Sequence, residues 1–242
     1  MKRIDKLLKS KSIAMITCYD ATFSRLLERC KCDALLVGDS LGVVIKGEKN
    51  TRAVSVEEMV YHTRAARSGT AKLPIISDMP LVSLRSKKAA LISAKSLIKA
   101  GADMVKIEGE NSVLKLIKYL SENGIRVCAH IGYIPQTMNQ PLNKIDRQKF
   151  LNTAIALQVH GADMIVLSMM GKIADQLITK NLTIPTISFR SSNSCNGQVE
   201  IIYDLIGVTS KFFKINKKEQ LNQSQSLMSR IVNYVEYVHK IY

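Results

Sequence analysis

The chain has no apolar run approaching the roughly 20 residues needed to cross a bilayer, and MKRIDKLLKSKS at its start has no uninterrupted apolar stretch of the kind a secretory signal carries. A cytoplasmic location is the expectation. Cysteine is sparse: Cys18, Cys30, Cys32, Cys128 and Cys195 form an odd set with no CxxC pair. That argues against a disulfide framework or structural zinc and for reduced, structural thiols. Aromatics make up only 5%, with no RNA-binding signature or zinc finger. GDSLG lacks the GK[ST] ending of a phosphate-binding loop. The formal charge of +15 is spread over the N-terminus, the segment around Lys87 to Lys99 and the tail around Lys211 to Lys218. It reads as a solvated basic surface, with neither nucleic acid nor membrane as partner.

What is present is a sizeable hydrophobic fraction, 46% of 242 residues, cut into strand-length runs. SIAMITCY, DALLVGD, LPIISD, DMVKIEG, IRVCAHIG, DMIVLS, TIPTISF and DLIGVTS alternate with segments of helical period, the pattern of βα units on a parallel sheet. Ser55 with Glu58 predicts a capping box, Ser86 caps KKAALISAKSLIKA up to Gly101, and Gly161 ends LNTAIALQVH. With no low-complexity linker, residues 1–242 are expected to form one (β/α)8 TIM barrel, closed by an amphipathic helix within Lys217 to Tyr242. An open doubly wound sheet is the alternative. GADM recurs at Gly101 and Gly161, too short a repeat to argue duplication.

Polar groups end four of the runs: Asp39, Asp78, Glu108 and His130. In a barrel these ends share one face, so three carboxylates from successive strands converge. Like charges brought together resist ionisation unless a cation offsets them, which points to a hard ion such as Mg2+. Magnesium leaves positions for a substrate that chelates through two oxygens, as a 2-oxo acid does. Lys106 lies two residues before Glu108, so both face the same side, and an unpaired ammonium is costly in an apolar strand. Taken singly, Asp39 could cap the next helix and His130 could be structural.

ITCYD, LLVGDSLG, VEEMVYHTRAARSG, DMP, AGADMVKIEG, VCAHIGYIPQ and GADMIVL resemble, in order and spacing, the ketopantoate (3-methyl-2-oxobutanoate) hydroxymethyltransferase family over roughly the first 190 residues. The resemblance implies a phosphoenolpyruvate/pyruvate-type barrel, Mg2+, a large homo-oligomeric ring and transfer of a hydroxymethyl group from 5,10-methylenetetrahydrofolate to 2-oxoisovalerate in pantothenate biosynthesis. It implies a metal site at Asp39, Asp78 and Glu108, with Ser40, Lys106 and both aspartates, Asp39 and Asp78, contacting the oxo acid. Lys106 and His130 are the expected catalytic residues.

The departure is at Ser168, where the family carries the glutamate taken as general base. A serine hydroxyl holds no negative charge near neutral pH and cannot simply replace a carboxylate. Glu110, a metal-bound hydroxide or a water held by Ser168 are the remaining acceptors. SFRSSNSCNG and TMNQPLNKIDRQ also depart from the family's loops. Two other readings follow: a Mg-dependent 2-oxo acid lyase or mutase of the related barrel type, and a catalytically silent relative that keeps substrate and metal binding.

Overall fold

The computed structural model describes residues 3–208 and 226–241. Eight parallel strands close into a barrel in chain order: β1 (Ile13–Thr17), β2 (Ala34–Val37), β3 (Ile75–Asp78), β4 (Met104–Glu108), β5 (Val127–Gly132), β6 (Met164–Ser168), β7 (Thr186–Phe189) and β8 (Gly197–Glu200), which returns to β1. The helices are α1 (Arg3–Leu7), α2 (Ala21–Arg29), α3 (Leu41–Val44), α4 (Val56–Gly69), α5 (Lys87–Ala100), α6 (Leu114–Glu122), α7 (Arg147–Val159), α8 (Lys172–Asn181), α9 (Ile202–Leu205) and α10 (Leu227–Ile241). The expected (β/α)8 barrel is what the chain forms.

The predicted helix signals act as expected. Ser55 and Glu58 form a reciprocal capping box on α4, Ser86 Oγ accepts from Ala89 N on α5, and Gly101 ends α5 with φ +116°. Strand alternation divides the core into two layers. Met15, Leu36, Ile76, Met104, Cys128, Met164 and Val166 fill the barrel, whereas Leu35, Val105, Ala129 and Ile165 face the helices. Ile4 and Leu7 of α1 join the inner layer. All five cysteines are free and buried.

One expectation is overturned: DLIGVTS is not the eighth strand. Its described part ends α9 and turns, and Thr209 and Ser210 lie outside the described residues. The strand is GQVE, reached from β7 by residues 190–196 without a helix. GQVE has two half-exposed polar positions, so it carries little hydrophobic signal. The closing helix is present as α10, with Ile231, Tyr234, Val235 and Val238 buried; residues 217–225 and Tyr242 lie outside the described residues.

The repeated GADM has a structural cause. Asp103 N–H donates to Ile75 O at 2.7 Å, and Asp103 Oδ2 accepts from Ile75 N at 2.9 Å; Asp163 does the same to Val127 at 2.8 and 2.9 Å. Asp33 treats Ala14 likewise and Asn196 treats Thr186 likewise. A carboxylate or amide just before each even-numbered strand thus satisfies a donor at the start of the odd-numbered strand before it. GADM is two instances of a device used four times.

Candidate active site

The inner series that is apolar at the lower end of the barrel turns polar at the carboxyl ends. Asp78 follows Ile76, Lys106 and Glu108 follow Met104, His130 follows Cys128, and Ser168 follows Val166. Asp39, Asp78 and Glu108 bring one carboxylate oxygen each within 4.8 Å of the others, all buried. Lys106 Nζ lies 2.7 Å from Asp78 Oδ1, an ionic contact without hydrogen-bond alignment, and bonds Glu108 Oε1 at 3.2 Å. His130 Nδ1 lies 3.0 Å from Glu108 Oε1. Since a carboxylate accepts, Nδ1 carries the proton, which leaves the buried Nε2 without a partner among the described residues.

The charges are unequally compensated. Burial opposes ionisation of Glu108, but Lys106 and His130 outweigh it and hold its carboxyl at about 2. Burial would lower Lys106, yet Asp78, Glu108 and Asp39 together raise it, so it stays an ammonium. Asp39 is pushed well above the usual carboxylate range by burial and then by Glu108 and Asp78. Three carboxylates against one ammonium leave a deficit that a divalent cation cancels, and the ligand atoms are all oxygens. The residues therefore fit a hard cation such as Mg2+.

A family model described as ketopantoate hydroxymethyltransferase matches residues 1–241. The chain belongs to this family. It is 37% identical over 238 residues to the 3-methyl-2-oxobutanoate hydroxymethyltransferase of Nitrosomonas europaea, covering 95% of this chain and 88% of the relative. A Buchnera aphidicola relative of the same name is 36% identical over 240 residues, covering 96% and 91%. Among solved structures, phosphonopyruvate hydrolase in complex with oxalate and Mg++ aligns with TM-score 0.69 at 12% identity, covering 99% of this chain and 97% of that one. A 2,3-dimethylmalate lyase aligns with TM-score 0.66 at 13% identity, covering 99% and 98%. At that identity the solved structures establish the barrel type alone.

Within the ketopantoate hydroxymethyltransferase frame, the predicted residues fall in three groups. Asp39, Asp78, Lys106, Glu108 and His130 form one bonded cluster. Asp39 does not cap α3: its carboxylate accepts from Gln136 Nε2 at 2.7 Å, and its own N–H donates to Asp78 Oδ2 at 3.1 Å. Ser40 sits beside the cluster with Oγ 2.8 Å from Tyr19 OH. A Cβ at Gly38 would stand 2.7 Å from Ser40 Oγ and 3.7 Å from Asp78 Oδ2, so glycine keeps that corner open. Ser168 is fully buried at the end of β6, opposite Gly132 in register, and its Oγ has no partner among the described residues.

The Glu110 carboxylate, one of the candidate acceptors, pairs with Lys149 Nζ of α7 at 2.8 Å in a partly exposed ion pair. Three contributors escaped the sequence reading. Gln136 bonds two of the three carboxylates, Tyr19 holds Ser40, and Arg52 holds the Gln136 carbonyl at 3.1 Å. Gln136 ends the quoted VCAHIGYIPQ, but only the fold brings it to residues 28 and 97 positions away.

Proposed function

We propose that this chain transfers the one-carbon unit of 5,10-methylenetetrahydrofolate to C3 of 2-oxoisovalerate, giving ketopantoate, with Mg2+ held by Asp39, Asp78 and Glu108. The observation that carries the reading is the buried carboxylate cluster with Lys106 inside it, in a chain of this family. Held by Asp39, Asp78 and Glu108, a divalent ion would supply Lewis-acid polarisation of the oxo acid's carbonyl and so acidify its C3 proton. Lys106, kept charged by Asp78 and Glu108, offers its ammonium to the substrate carboxylate or oxo oxygen. Ser40 adds a hydroxyl, and His130 presents Nε2 to the interior.

Proton removal from C3 is where this chain differs. With Glu110 tied to Lys149, the acceptor in this proposal is a water held by the partnerless Ser168 hydroxyl. Such a water is a weaker base than a carboxylate, so turnover is low while substrate binding is retained. Assembly as a homo-oligomer belongs to the same proposal; Tyr61, Ile92 and Val159, each more than half exposed, are apolar surface for an interface to cover.

The direct test is ketopantoate formation from the two substrates with Mg2+. Product no higher than in a magnesium-free control rejects the activity. The silent-subunit reading draws on the same serine. It prevails if calorimetry finds oxo acid binding with Mg2+ while the C3 proton never exchanges in deuterated water.

A further inference from the structure

Gln136 is 1% exposed and tied to the site at three points. Its backbone N–H donates to Glu108 Oε2 at 3.2 Å, and its side-chain amide donates to Asp39 Oδ2 at 2.7 Å and to the Met79 carbonyl at 3.1 Å. Both side-chain partners are acceptors, which fixes the amide: nitrogen faces them and Oε1 faces away. Oε1 is buried and has no hydrogen-bond donor among the described residues. Buried amide oxygens without a donor are rare because they forfeit hydration for nothing. On the outer side, exposed Arg52 donates from Nε to the Gln136 carbonyl and from its terminal nitrogen to Asn139 Oδ1 at 2.7 Å, clamping the loop after β5.

The missing donor is not the oxo acid, whose carboxylate and carbonyl only accept. The same amide is bonded through Nε2 to Asp39 Oδ2 at 2.7 Å, and a hard cation on Asp39 that keeps some of its waters would bring strongly polarised donors close to it. We propose that Gln136 is a positioning residue of the metal centre, holding Asp39 and Glu108 in place and accepting at Oε1 a hydrogen bond from a water on the cation, while Arg52 locks the loop that carries it. This inference rests on the metal reading above. Outer partners that orient ligands commonly set metal affinity by 10- to 100-fold on the order of magnitude.

The test uses Mn2+ alone, without oxo acid or folate, titrated into the full chain and followed by the free-ion electron spin resonance signal and by water-proton relaxation. Gln136→Leu is expected to weaken binding by at least about tenfold and to change the relaxation enhancement of the bound ion. Arg52→Ala, at an exposed position, is expected to weaken binding several-fold in the same direction, and it decides the matter if Gln136→Leu does not fold. Wild-type protein that binds no Mn2+ overturns the metal reading and this inference with it. Wild-type binding matched by the folded variants overturns this inference alone. Weakened binding with unchanged relaxation overturns the water contact.

Discussion

Lys106 and Asp78 stand opposite each other in the β3–β4 register, and their side chains meet 2.7 Å apart inside the barrel. The carboxylate thus serves two cations, the ammonium beside it and the metal it is proposed to hold. Asp78→Ala should abolish magnesium-dependent binding of 2-oxoisovalerate in calorimetry. Unchanged affinity would remove Asp78 from the site.

Ser168→Glu should raise turnover by at least about tenfold with little change in oxo acid affinity, because general-base assistance is typically worth roughly 10²- to 10⁴-fold. Steady-state kinetics with both substrates checks this. Equal or lower turnover means that Ser168 is not the place of a lost base.

Glu110→Ala should leave turnover within about a factor of two. Its carboxylate is committed to Lys149 on a half-exposed pair, and such pairs contribute little. A large loss of turnover would return Glu110 to the list of proton acceptors.

Asp39 gives the metal-free protein a pH dependence. Its folded pKa is raised, so its contribution favours the fold below the ordinary carboxylate range and is lost as pH rises through the raised value. Magnesium relieves that loss. The increase in Tm on adding MgCl2 should therefore grow as pH rises above the ordinary carboxylate range, and Asp39→Asn should flatten it while stabilising the metal-free protein at neutral pH. Melting curves with and without the ion give the answer; a pH-independent increment in wild type counts against it.

Asp163→Ala should destabilise the fold by about 1–3 kcal/mol in urea unfolding, since the Val127 N–H loses its acceptor. Asp163→Asn keeps an acceptor and should cost less. Equal costs would assign the effect to the exposed Arg126 pair instead.

The barrel and the carboxylate cluster were legible because both follow from local rules. Parallel strands of period two put Asp78, Lys106 and Glu108 on one face, at one end, whatever the loops do. Gln136 was not legible, because what it bonds is decided by how the loop after β5 folds back over β2 and β3. The partner of Glu110 was not legible either, because the sequence places it after a strand end but says nothing of Lys149 on α7. Strand β8 was missed because its inner residues alternate with half-exposed ones over four positions, whereas DLIGVTS has the apolar look of a strand although its first two residues, Asp204 and Leu205, end α9.

The acidic or amide residue before each even strand occupies the rim opposite the chemistry. Asp33, Asp103, Asp163 and Asn196 tie strands together in pairs by bonds that involve none of the catalytic-face residues. Register is thereby set at one end of the molecule and reactivity at the other. Side chains at the other end, Ser168 among them, and the segments after β5 and β7 can therefore change without renegotiating how the strands align.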